Sequence, residues 1–193
     1  MPEMPFATIK ALTRWERART VAGFALLGAA SGAGAMWIVE ALSQAQAGIV
    51  AIRSAVPGLV FGLLVGGALL RRGLAGPWVY AAYAVASSAS CYAAIYFAVA
   101  VYNAFNGNML LIGFCAGLLG SACLTGVSAL LFRSLRRPAP CLLMLGAGCV
   151  LGGLLAFYDG LVLFASWQAG YAAALAAGLP GKARVESAPA PGS

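Results

Sequence analysis

The sequence predicts an all-α fold, a polytopic transmembrane helical bundle of six spans with its N- and C-termini on the cytoplasmic side. Composition, the length of the apolar runs and the placement of the basic residues lead there. Of the 193 residues, 62% are hydrophobic and 9% charged, whereas a soluble domain carries about 25% charged residues. A mean hydropathy of +0.90 belongs to a chain whose surface lies in lipid rather than water. The apolar residues fall in runs long enough, at about 1.5 Å per residue, to cross a hydrocarbon core of about 30 Å or nearly so. The basic residues, finally, are confined to alternate junctions between those runs. A closed barrel would need segments of about ten residues with alternating polarity, and no such alternation is present.

Residues 1–19 read as a cytoplasmic basic segment. Between Pro5 and Arg19, apolar positions mix with Lys10, Arg14, Arg17 and Arg19, as in a short amphipathic helix on an anionic membrane surface or a solvated basic tail. Residues 20–180 form the membrane domain, with spans at 21–41, 49–70, 77–104, 109–132, 141–158 and 161–179. Gly73, Gly76 and Pro77 break the chain after the second span, Asn106-Gly107-Asn108 after the third, Pro138 and Pro140 after the fourth, and Tyr158-Asp159-Gly160 after the fifth. Residues 181–193, rich in Pro, Ala and Ser, read as a disordered cytoplasmic tail.

Orientation follows from the arginines and lysines. Lys10, Arg14, Arg17 and Arg19 precede span one, Arg71 and Arg72 follow span two, Arg133, Arg136 and Arg137 follow span four, and Lys182 and Arg184 follow span six. Eleven of the twelve basic residues thus share one side, which the positive-inside rule makes cytoplasmic. Trp15, Trp37 and Trp78 fall near the expected interfaces. Ala45-Gln46-Ala47 resembles a signal-peptidase site, and cleavage after Ala47 would leave five spans; the preceding run is longer than a signal core and carries packing glycines, which favours retention. Spans two plus three and four plus five share a loose order of glycine-rich helix, paired arginines, proline and second helix. Either an old hairpin repeat or the general build of a bundle with basic turns accounts for it.

Glycines recur every four residues at Gly28 and Gly32, at Gly58, Gly62 and Gly66, at Gly113 and Gly117, and at Gly148 and Gly152. Such spacing cuts a groove along a helix that lets a neighbouring backbone approach, whether a sister helix or a second protein. Polar side chains are sparse enough to be singled out. Glu40, Arg53 and Asp159 stand at span ends on the outer side, either solvated or, for Arg53 near the kink expected at Pro57, turned inward toward a carboxylate. Ser88, Tyr92, Tyr96 and Asn103 share one face of span three, and Trp167, Gln168 and Tyr171 lie within span six. The candidate polar pocket is therefore Glu40, Arg53, Asp159, Tyr92, Tyr96, Asn103 and Gln168, with hydrogen bonding between spans three and six as the alternative role for the buried amide.

Cys91, Cys115, Cys123, Cys141 and Cys149 lie in or beside apolar runs without a close pair and read as reduced packing residues. The chain has no histidine, which removes His-ligated haem, His-containing zinc sites and Ser-His or Cys-His catalysis. No catalytic residue, cofactor or metal site is assigned, and an enzyme is not expected. The basic residues form no patch suited to nucleic acid; the lipid bilayer, and other membrane subunits, are the expected partners. Two functions follow. One is a small solute-handling module of a bacterial-type inner membrane, with a polar pocket on its outer side. In size and topology, though in no motif, such a chain resembles the substrate-capturing subunits of vitamin-uptake transporters, a resemblance that implies separate energy-coupling partners. The other is a non-catalytic subunit that docks into a larger membrane complex through its glycine faces.

Overall fold

A computed structural model describes residues 14–44 and 50–179, all of them in helices or the turns between, with no strand among the described residues. The helices are α1 (Arg14–Gln44), α2 (Val50–Arg71), α3 (Pro77–Val101), α4 (Met109–Leu131), α5 (Pro138–Gly152) and α6 (Gly160–Gly178). Short 3-10 turns at Arg133–Arg136 and Gly153–Ala156 flank α5. Counting α5 with the turn that extends it to Ala156, all six are long and apolar enough to cross a membrane.

Local chemistry sets the boundaries. Pro77 and Pro138 open α3 and α5 at the first helical position, where a missing N–H costs nothing. Asn108 and Asp159 cap α4 and α6, their side-chain oxygens accepting from Leu111 N and Val162 N at 3.1 Å each. α2 ends in a Schellman turn: Gly73, at φ +70°, gives its N–H to Leu70 O at 2.9 Å, and Leu74 N reaches Leu69 O at 3.0 Å. Arg136 closes the end of α4 from outside, with Nε to Ala129 O at 3.0 Å and Nη2 to Leu130 O at 3.2 Å.

α1 runs unbroken for 31 residues from Arg14, about 46 Å at the helical rise. Arg14, Arg17 and Arg19 thus stand on its first turns instead of in a separate helix, because a good helix former such as arginine lets an existing helix propagate through a charged turn. The remainder of the basic segment (1–13), the Ala45-Gln46-Ala47 sequence and the tail (180–193, with Lys182 and Arg184) lie outside the described residues.

Each helix packs against its neighbours in sequence, and α6 closes against α1. Three pairs are the most intimate: α1 with α6, α2 with α3, and α4 with α5. All nine periodic glycines lie within these pairs. A Cβ on Gly28 or Gly32 would strike the backbone of Gln168 or Phe164 in α6; on Gly58 or Gly62, the backbone of Ser87 or Ala84 in α3; on Gly113 or Gly117, the carbonyl of Gly152 or Gly148 in α5. Gly66 faces the Tyr80 ring at 3.0 Å, while Gly148 and Gly152 meet Ser121 and Gly113 from the other side. Helices that cannot be driven together by expelling water need this close backbone contact to associate.

The filled core sits toward the end where α2 and α4 finish. Phe61, Leu69, Tyr83, Leu124, Leu135, Met144, Tyr171 and Leu175 are fully buried there, with Phe61 edge-on to Tyr171 and Tyr83 edge-on to Phe132. The described arginines other than Arg53 (those on the first turns of α1, at the end of α2 and in the α4–α5 turn) belong to this end, and Arg72 lies over the Phe24 ring at 5.0 Å. The outer faces are apolar: Leu26, Val85, Val99, Leu130 and Leu142 are each more than two-thirds exposed. An exterior carrying this many exposed large apolar side chains is compatible with contact to lipid.

Candidate functional site

The end of the bundle opposite the arginine cluster is not filled. A cavity of about 600 Å³ opens between α3, α4, the turn after α5, and α6, within the range of about 300–1,000 Å³ typical of small-ligand pockets. Its mouth is made by Tyr102 and Asn103 at the α3–α4 turn, Met109 at the start of α4 and Gly160 at the start of α6. Its walls are Ile95, Ala98, Ile112, Leu163 and Phe164, and its floor is Cys91, Gly117 and Trp167. From Cys91 to Tyr102 along α3 the depth is about 16 Å.

The floor is held from below. Trp167 gives its indole N–H to Gly148 O at 3.1 Å and stacks on Tyr171, ring centres 5.9 Å apart. Tyr171 is in turn joined by its hydroxyl to Thr125 Oγ1 at 3.1 Å. With its one polar atom committed to α5, Trp167 shows the cavity only carbon.

The residues singled out in the sequence are distributed over several places. Asn103 lines the cavity mouth. Tyr92 and Tyr96 stack on one another at 6.0 Å on an exposed face of α3, and Ser88 bonds across to Ala55 O of α2 at 3.0 Å. Asp159 is the cap of α6. Glu40 is exposed and accepts from Gln44 Nε2 at 3.1 Å, one turn along α1, while Arg53 Nη1 donates to Ser43 Oγ at 3.2 Å across the α1–α2 corner. None of these three lines the cavity.

Gln168 is fully buried and joins helices one, two and six. Its Nε2 donates to Pro57 O at 2.9 Å, and its Oε1 meets the Ser31 hydroxyl, which also lies 2.7 Å from Gly28 O. The hydrogen bonds of this amide therefore run to α1 and α2, where the sequence pointed to span three. The acceptor is the carbonyl of Pro57 itself, within α2, whereas the carbonyl that the missing Pro57 N–H leaves free is that of Arg53, four residues earlier.

Most of the cavity wall was not singled out by the sequence. On α3 it consists of Cys91, Ala94, Ile95, Ala98 and Tyr102, a stripe at helical spacing that lies roughly 100° around the axis from Tyr92 and Tyr96. The spacing was available, but small and apolar residues on one face also describe ordinary packing. Asn103 reaches the mouth because α3 ends at Val101 and the chain folds back through Asn106 and Gly107, both at positive φ.

Among the described residues no group of three His, Cys, Asp or Glu side chains is placed to hold a metal ion. Compared with known families, curated proteins and solved structures, the chain finds no match.

Proposed function

We propose that this protein crosses a bacterial-type inner membrane six times, with both termini in the cytoplasm, and captures a small solute in a cavity that faces away from the cytoplasm. The observation that carries this reading is the cavity of about 600 Å³ at the end of the bundle remote from every described arginine except Arg53. By the positive-inside rule that end faces outward. It is a binding reading and not a catalytic one: the cavity is lined by carbon and glycine apart from a few neutral polar groups, and the carboxylate nearest its mouth is engaged as a helix cap.

The docking alternative draws less support, since the nine periodic glycines that would form its contact surfaces are covered by sister helices. Purification from native membranes in mild detergent, followed by mass spectrometry of everything bound, separates the two. Capture gives a non-protein molecule near one per chain. A stoichiometric protein partner with no small molecule overturns capture in favour of docking.

A further inference from the structure

Resting on the capture reading, we infer that the cavity takes a single amphiphile with an uncharged hydrogen-bonding head, the head at Asn103 and Tyr102 and the apolar body running inward to Trp167. The walls are sorted by polarity along their depth. At the mouth the Asn103 amide offers both a donor and an acceptor, and Tyr102, whose hydroxyl lies against Gly107, adds a second polar group. Below them Ile95, Ala98, Ile112, Leu163 and Phe164 present only carbon, and the Trp167 N–H is turned away to Gly148. A solute polar along its whole length would give up its hydration at these walls without recovering hydrogen bonds, whereas an apolar body gains from the same transfer.

Charge narrows the head further. No lining residue is ionisable as a carboxylate, lysine or arginine, so a charged head would enter without a counter-ion. The N-terminus of α6 at the mouth would favour an anion, but the Asp159 carboxylate already occupies it, next in sequence to the lining residue Gly160. Size agrees: a body reaching from Tyr102 to Cys91 extends about 16 Å, half the thickness of a hydrocarbon core. Val99, which lines the cavity, is 71% exposed, so the cavity is not sealed along α3.

Trp167 on the floor supplies the probe. Trp15, Trp37 and Trp78 are each at least 75% exposed, so changing all three to Phe leaves Trp167 as the reporting fluorophore. The full-length protein in phosphatidylcholine nanodiscs is titrated with a long-chain alcohol brominated at its far end. A parallel sample contains phosphatidylcholine brominated on its acyl chains. The expected result is saturable quenching by the alcohol, at one per chain, well beyond that produced by the brominated lipid. Ala98→Phe, which fills the wall, raises the half-saturating concentration about tenfold. Asn103→Leu, in an exposed turn where folding is not at stake, raises it about fivefold by removing the head contact. Quenching that grows in proportion to alcohol, is matched by the brominated lipid and ignores both variants overturns the inference. If the native-membrane preparation then yields a stoichiometric polar solute, the amphiphile alone falls and capture stands; if it yields none, both fall.

Discussion

Ser31 and Gln168 show how much a few polar atoms matter in a chain so apolar. Both are fully buried, and the Gln168 amide is tied to α1 and α2 at once. Leaving a buried acceptor without a donor costs about 1–3 kcal/mol, while removing donor and acceptor together costs much less. Ser31→Ala is therefore expected to destabilise the bundle by about 1–3 kcal/mol, and adding Gln168→Leu to it should restore part of the loss. Reversible unfolding in mixed micelles measures both; a double variant less stable than Ser31→Ala would show that Oε1 is not stranded by the single change. The glutamine was visible in the sequence as a polar group needing a partner. Its partners were not, because the carbonyl of a proline in one helix and a serine in another become neighbours only after three helices assemble.

At the level of the element, the contrast between glycines is the most direct check on how the helices pair. Gly152 has the carbonyl of Gly113 against the site of its missing side chain, whereas Gly146, six residues earlier on the same helix, has nothing within 4 Å. Gly152→Leu is expected to force α4 and α5 apart and destabilise by about 1–3 kcal/mol or more. Gly146→Leu should leave stability unchanged or raise it slightly through better helix propensity. Thermal unfolding in detergent distinguishes them, and equal effects would contradict the α4–α5 contact. The four-residue glycine spacing was legible beforehand as a close-packing signal, as were the helix limits at Pro77, Asn108, Pro138 and Asp159. Which helix fills which groove was not legible: a groove read from one sequence segment fits any smooth neighbour, and α6 returning to α1 joins the two most distant helices in the chain.

For the whole molecule, the consequential expectation is topology. All the described arginines but Arg53 belong to one end of the bundle, and the cavity lies toward the other. Reporter fusions after Ser193 and before Met1 are expected to read cytoplasmic, and a reporter inserted at Asn106-Gly107 to read external. Termini on opposite faces would remove the assignment of the cavity to the outer side. Composition determined that this chain is suited to lipid, long apolar runs without alternating polarity determined that its backbone is satisfied in helices rather than a barrel, and the spacing of arginines determined how its ends are expected to lie. The cavity was decided by tertiary structure. A hollow arises where helices diverge, and whether an alanine on α3 faces a void, lipid or another helix depends on the angles at which glycine-rich pairs cross, a property of the assembled bundle that no single segment carries.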